Sequence, residues 1–404
     1  MSMTPAPPEP KRGRFTLSPL NQRRWNNFCR NRRAFWSLWI FILLFGLSLC
    51  AEFIANDKPI MVTYKGETYF PVFNFYPETT FGGDFKTEAA YRDPEVRCLI
   101  QSGGLEECFD DPEGIIEDID AGTFEADGFE KGSLLWPVIP YSFDTPVDRS
   151  GAAPLAPDVI GFYEGEDGER HFGLLPEDQR GTNWLGTDDT KRDVLARIIY
   201  GFRLSIVFTL VVTFFASIIG VVAGALQGYF GGWLDLIFQR VIEIWGAIPM
   251  LYVIIILFAI FGRSYGLLLL LTILFSWTAL VGVVRAEFLR ARNLEYVRAA
   301  KALGVSDRTI MFRHVLPNAM VATLTFMPFI VTGTISTLAG LDFLGFGLPS
   351  SAPSLGELTL QAKQNLQAPW LAFTAFSVFA VMLSLLVFIF EGVRDAFDPR
   401  KTFA

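Results

Sequence analysis

Histidine is nearly missing from this 404-residue chain: only His171 and His314 occur, and neither stands in a ligand-like or triad-like setting. No Gly-x-x-x-x-Gly-Lys-Ser/Thr phosphate loop is present, so the chain has no visible means of cradling a nucleotide by itself. The four cysteines lack metal-ligand spacing, and paired catalytic carboxylates in an apolar pocket are missing. The cluster of Asp188, Asp189 and Asp193 reads as too wet, and too close to a membrane entry, for acid/base work. These gaps argue against an enzyme, and they leave no cofactor, metal or nucleic acid expected on this chain. Energy must come from another protein.

Charge is scarce in a second, patterned way. Six stretches free of charged side chains are each long enough to cross a hydrocarbon core of about 30 Å, which takes roughly 20 helical residues. They run over 34–51, 204–226, 244–262, 264–284, 319–341 and 369–390. Glu52, Glu243, Arg263, Arg285, Glu287, Asp342 and Glu391 all fall at predicted ends. A charge at mid-bilayer costs about 2.5 kcal/mol or more. A proton relay or ion-coupled pump would need charges deeper than these. What is plentiful is apolar: 51% of residues are hydrophobic, 39 of them Phe, and mean hydropathy is +0.35. The expected fold is therefore an all-α polytopic membrane protein with six transmembrane helices, rather than one soluble domain.

Lys and Arg are retained on the cytoplasmic side, so their placement sets orientation. Arg23, Arg24, Arg30, Arg32 and Arg33 precede the first span, and seven basic residues from Arg285 to Arg313 crowd the loop between the fourth and fifth. Both termini are thus expected inside, and the long segment 56–200 outside. From Asn56 to Arg203 there are 30 Asp or Glu against 13 Lys or Arg. That leaves a net of -17 outside and +9 elsewhere, which sums to the stated -8. The first apolar stretch starts beyond residue 33 without a clear cleavage site, so it reads as a retained anchor. Cys98 and Cys108 lie together in the external segment, where an oxidising compartment allows a local disulfide; two unpaired thiols are the alternative.

Residues 1 to about 16 are Pro-rich and basic, which predicts disorder, and Ser18 to Arg33 reads as an interfacial helix or a simple basic flank. In the external segment, Met61–Tyr64 with Thr68–Phe70, and Gly161–Tyr163 with Arg170–Phe172, read as hairpins of a small β-containing domain. Between them, the acidic stretch Leu105 to Lys131 is expected to be a mobile loop. Pro249 and Pro328 sit within spans three and five, and Gly220, Gly224, Gly228, Gly231 and Gly232 line or follow span two; they permit kinks or close packing.

The polar stretch 291–318 is the most informative. Glu295 to Gly304 reads as one short helix and a second amphipathic run reaches Leu316-Pro317, with long apolar segments on both sides. Ala299 and Ala300 leave room for close contact, Gly304 permits the turn, Ser306 suits an N-cap with Asp307 beside it, and Pro317 marks the next membrane helix. His314 is most simply a polar residue on the second helix. Two small helices outside the bilayer make a docking knob.

Ala299, Ala300, Gly304, Leu316 and Pro317 resemble the coupling-loop signature of ABC-importer permeases, Ala-Ala-x-x-x-Gly followed at fixed spacing by Leu-Pro. Arg298 replaces the Glu that often precedes the alanines, as in the oligopeptide and dipeptide branch. Asn183 to Arg197 is similar to that branch's entry to span two, although Lys191 stands where Gly is usual. Leu341 to Pro349 with Pro353 to Gly356, and Val393 to Arg400, resemble its external loop and C-terminal tail. Stretches around Arg32, Ala55, Tyr69 and Phe81 are similar to the Yej-type permeases of microcin C and oligopeptide uptake.

The resemblance implies a type I importer permease of the bacterial inner membrane: a cytoplasmic tail (1–33), helix 1 (34–55), a periplasmic insertion (56–200), a core (201–393) and a cytoplasmic end (394–404). It further implies a second permease subunit as heterodimer, an ATP-binding subunit with two nucleotide-binding domains or two such subunits, and a periplasmic peptide-binding protein, all at the lipid bilayer. ATP and Mg would be bound by the partner ATPase. Glu295, Arg298, Ala299, Ala300, Gly304, Ser306, His314, Leu316 and Pro317 are the residues expected to meet that motor. Asp342, Phe343, Phe346 and Glu357 are candidates for the translocation path, with packing of the loop as the alternative role. The alternative class is a membrane-anchored receptor or assembly protein with a periplasmic ligand-binding domain.

Overall fold

Helices dominate a computed structural model that describes residues 19–124, 131–164, 170–176 and 181–397. The basic tail 1–16, the Asp167-Gly168 turn and the end of the C-terminal motif lie outside the described residues. Five helices are long and apolar enough to span a bilayer, and a bent pair makes up to six.

Two helices open the chain, α1 (Pro19–Arg30) and α2 (Arg32–Leu49), followed by the short α3 (Ala51–Ile54). α1 is amphipathic, and its Phe28 is buried against Ala34 of α2 and Ala396 near the C-terminal end of the last helix. The external segment then forms strands β1 (Met61–Tyr64), β2 (Glu67–Tyr69) and β3 (Ser133–Leu135), antiparallel in the order β2-β1-β3, and the hairpin β4 (Ile160–Glu164) with β5 (Arg170–Leu174). β3 joins the first expected hairpin from 64 residues away in sequence and carries no local signal. Helix α4 (Pro94–Ser102) packs Val96 and Ile100 against Val62, Tyr64, Phe81 and Tyr91.

The acidic stretch is not the loop its composition predicts. It holds a 3-10 turn, Glu106–Phe109, and helix α5 (Pro112–Ala121). Asp111 caps α5 by accepting from Gly114 N–H at 3.1 Å, Pro112 occupies the first turn, and Gly122 ends the helix at φ +73°. Ile116 and Ile119 turn inward, and a disulfide joins Cys98 of α4 to Cys108 of the turn. Two apolar side chains and a crosslink suffice where net charge alone suggested disorder.

Helix α6 (Val194–Phe230) is the axis of the membrane part. α7 (Gly232–Gly246) and α8 (Met250–Phe261) stand at the place of the third expected span as a pair bent by 67°. Pro249 stands at that break, at the cap of α8, because it has no N–H to continue the ladder. α9 (Tyr265–Ser276) and α10 (Thr278–Ala291) together form the fourth span. α11 (Glu295–Ala302) is the first helix of the knob, and α12 (Asp307–Thr309) the second. The latter does not remain separate: a π-helical stretch, Ile310–Val315, carries it into α13 (Leu316–Phe343). Pro317 therefore lies within one continuous span, 307–343, rather than at a boundary. α14 (Leu355–Gln364) and α15 (Pro369–Phe397) complete the chain.

α6 and α10 meet through glycine. A Cβ added to Gly220, Gly224 or Gly228 would lie 2.5, 2.7 or 2.5 Å from the carbonyl oxygens of Trp277, Val281 and Arg285. The four-residue spacing lets the two backbones touch, and α6 stays unbroken through all three.

Candidate functional site

The knob is anchored from below and bare on top. Val297, Ile310, Met311 and Val315 are buried against Tyr229 of α6 and Val284 and Phe288 of α10. Glu295, Arg298, Ala299 and Gly304 are exposed, with Ala300 half-buried. Gly304 has φ +76°, the left-handed turn that glycine adopts at no steric cost. Ser306 accepts from Thr309 N–H at 3.4 Å, the expected cap. Asp307 is additionally held by the Tyr229 hydroxyl, and Lys301 Nζ lies 4.7 Å from the Tyr229 ring centroid. His314 and Leu316 are half-buried and Pro317 is exposed.

Sequence reasoning passed over Leu303. At 83% exposure it projects between Ala302 and Gly304, with Tyr296 and Phe312 also exposed nearby. An exposed leucine beside a left-handed turn adds apolar surface to the knob, and its position just before Gly304 was the available signal.

The two ends of α6 fix how far this knob lies from the external segment. Tyr200 donates to the Ala55 carbonyl at 2.9 Å and packs with Ile139 and Tyr141. Tyr229 touches the knob. Twenty-nine residues of helix separate them, roughly 44 Å at 1.5 Å per residue, against a hydrocarbon thickness of about 30 Å. The helix between them is thus longer than the apolar layer is thick.

At the outer end, the stretch Asn183 to Arg197 is an interlocked hub. Asp188 and Asp193, expected to be wet, are fully buried. Asp188 Oδ1 accepts from Thr190 N–H, Thr190 Oγ and Arg192 N–H at 2.7–2.9 Å. Its Oδ2 faces Arg197 Nη1 at 3.2 Å, an ionic contact without hydrogen-bond alignment. Arg197 and Arg192 donate onward to the carbonyls of Ala352 and Ser350 at 3.1 and 3.0 Å. Asp193 caps α6 through Ala196 N–H at 2.7 Å and accepts from Asn183 Nδ2 at 2.8 Å; burial pushes its carboxyl up from the usual carboxylate range. Lys191 has φ +62°, in the left-handed region that glycine adopts without steric cost.

The four path candidates lie at the end of α13, in the loop after it and at the start of α14. Asp342 is buried and accepts from Leu348 N–H at 2.7 Å and from Ser354 Oγ, so its carboxylate is engaged by its own chain. Phe343 is half-buried beneath Lys363, Phe346 is 37% exposed, and Glu357 is half-buried in the first turn of α14.

The family described as "binding-protein-dependent transport system inner membrane component" matches residues 216–403, and the "N-terminal TM domain of oligopeptide transport permease C" matches residues 18–74. Over 403 residues the chain is 51% identical to the peptidoglycan transport system permease protein YejE of Agrobacterium fabrum, covering 98% of this chain and 96% of that one. The chain belongs to the oligopeptide-type ABC permease family. This permease is likewise 51% identical over 385 residues to the inner membrane ABC transporter permease protein YejE of Escherichia coli, covering 95% and 98% of the two chains. A glutathione transport system permease, GsiD of Pectobacterium atrosepticum, is 32% identical over 58% of the permease and 79% of its own length. The permease is a multi-pass inner-membrane component of a transport system.

Proposed function

We propose that the permease forms half of the translocation path of an ATP-driven importer for oligopeptides and peptide-like compounds, including peptidoglycan-derived peptides and antibiotics such as microcin C. One observation carries the reading: the exposed, helix-anchored knob of α11 and Gly304, roughly 44 Å along α6 from its contact with the external segment. A motor that grips the knob moves α6, α10 and α13 together, because their ends share one apolar cluster. Spans joined this way rock as rigid bodies between inward- and outward-facing packings.

In this reading a second permease subunit supplies the other half of the path. Separate ATP-binding subunits bind ATP and Mg and push on Glu295, Arg298, Ala299, Ala300, Leu303 and Gly304, and a periplasmic binding protein delivers the peptide. The termini and the knob lie in the cytoplasm and residues 56–200 in the periplasm, a placement that the segregation of charge supports. The substrate class is supported by the similarity to the peptidoglycan transport system permease of Agrobacterium fabrum and by the match to the oligopeptide transport permease C domain.

The test reconstitutes the whole complex in proteoliposomes with Ala300→Trp or Gly304→Val in this chain. Gly304→Val clashes with φ +76°, and Ala300→Trp fills the contact surface. Peptide uptake is expected to fall at least tenfold while the ATPase subunits still hydrolyse ATP. Undiminished uptake with unchanged coupling would refute the assignment.

A further inference from the structure

The elbow between α1 and α2 concentrates charge that the fold does not neutralise. α1 ends at Arg30, Asn31 caps α2 by accepting from Ala34 N–H at 3.3 Å, and α2 opens with Arg32 and Arg33. All three arginines are exposed, and none has an ion-pair or hydrogen-bond partner among the described residues. The leading N–H groups of α2 add positive potential, since a helix N-terminus leaves its first donors unpaired and no acidic residue sits in that turn. Together with Asn31 these arginines form one wall of a cavity of about 380 Å³. Phe388 and Glu391 of α15 form the other. Glu391 is the one acidic group lining it, and it faces Arg394 at 3.7 Å.

What continues from this pocket distinguishes the ligand. Directly beyond the elbow, α2 presents Trp36, Trp39, Ile40, Leu43 and Leu47, each 44–62% exposed. Their spacing of three, four, seven and eleven residues from Trp36 puts them on one helical face. Tryptophan at the head of such a face belongs at the level of lipid head groups. A soluble phosphate would use only the pocket and make no contact with the apolar stripe. An amphiphile with an anionic head uses both.

We infer that the elbow is a binding site for an anionic phospholipid, with its phosphate held by Arg30, Arg32, Arg33 and the first N–H groups of α2, and an acyl chain laid along the Trp36 to Leu47 face. An occupied site braces the first span against the last, because α1 and α2 already close over Ala396 through Phe28 and Ala34.

The test uses the intact complex, purified in detergent. Native mass spectrometry is expected to show phosphatidylglycerol retained in preference to phosphatidylethanolamine. Each arginine beside an anionic surface contributes about fivefold. The triple variant Arg30→Gln, Arg32→Gln, Arg33→Gln should therefore weaken phosphatidylglycerol binding on the order of a hundredfold. Arg263→Gln, an exposed arginine outside the elbow, should leave it unchanged. A photoactivatable acyl chain on phosphatidylglycerol should label α2 between Trp36 and Leu47 in the wild-type complex, which keeps the test decisive even if the triple variant fails to assemble. Equal retention of the two lipids, labelling confined to other helices, or displacement of the lipid by inorganic phosphate would each overturn the inference.

Discussion

Tyr229 Oη donates a hydrogen bond to Asp307 Oδ1 at 2.5 Å, across 78 residues of sequence, and so ties the end of α6 to the start of the span that carries the knob. A hydrogen bond to a charged acceptor contributes about 1.5–3 kcal/mol. Tyr229→Phe removes it while keeping the ring against which Lys301 rests. The expected outcome is a looser knob: amide exchange over 295–309 speeds up about tenfold or more, and peptide uptake per ATP falls severalfold. Hydrogen exchange on the purified complex and uptake in proteoliposomes check this, and unchanged values in both would show that the contact transmits nothing.

The glycines of α6 give a prediction with a built-in control. A side chain at Gly224 meets the Val281 carbonyl at 2.7 Å and Val284 Cβ at 2.9 Å, so Gly224→Leu must separate α6 from α10. Overpacking of this kind typically costs 1–3 kcal/mol or more, and here it also disturbs the apolar cluster under the knob. Gly333 in α13 has nothing within 4 Å of an added Cβ, and Gly333→Ala should be tolerated. Detergent-solubilised complex is expected to lose thermal stability and yield with the first variant and neither with the second. Equal behaviour of the two would mean that the glycines are not needed for close approach.

Which parts of this architecture were legible follows from how local their causes are. The spans and the first helix of the knob were readable because unbroken apolar runs and the Ala299, Ala300, Gly304 pattern each sit within a few turns of sequence. The Ser306 cap was readable for the same reason. Helix α5 was missed although Asp111, Pro112 and Gly122 spell its ends, because net acidity was given more weight than capping. The Asp188 hub was misjudged as wet because two of its partners, the carbonyls of Ser350 and Ala352, lie more than 150 residues away. Asp342 was open to either the path or loop packing, and its neighbours Leu348 and Ser354 become visible only once the loop is folded.

Asp189 yields a pH prediction. Burial pushes its carboxyl above the usual range, and neighbouring Asp188 pushes it further, against the opposing pull of Arg192 and Arg197. One of its oxygens is buried without a hydrogen-bond partner. For an acid whose folded value is raised, folding favours the protonated form. Its contribution is fully present below the unfolded value of about 3.9 and is lost as pH rises through the folded value. Asp189→Asn should therefore stabilise the protein at pH 7, with the advantage shrinking as pH falls and the wild-type carboxyl takes up its proton. Thermal unfolding of both proteins between pH 7 and pH 4 measures the difference, and an advantage that grows on acidification would contradict the burial argument.

The strongest stability prediction concerns Asp188 and Arg197. Both side chains are fully buried, and the aspartate also collects three hydrogen bonds from the turn it closes. Removing one member of a buried pair leaves the other charge uncompensated, at a cost of about 3–5 kcal/mol, whereas replacing both by neutral groups of similar shape costs much less. Asp188→Asn alone should accordingly destabilise the protein severely, because Arg197 loses its nearest carboxylate and keeps the carbonyls of Ala352 and Ser350 with the weaker pull of Glu357 and Asp189. Arg197→Met alone strands the carboxylate with Arg192 at 3.3 Å as its remaining cation, which makes it the milder single change. The double variant should recover part of the loss, since the residues couple directly. A thermal-unfolding cycle over the four proteins gives the coupling. Strictly additive losses would mean that the pair is held in place by the surrounding loop rather than holding it, and the hub would then be a consequence of the fold at the head of α6 instead of one of its causes.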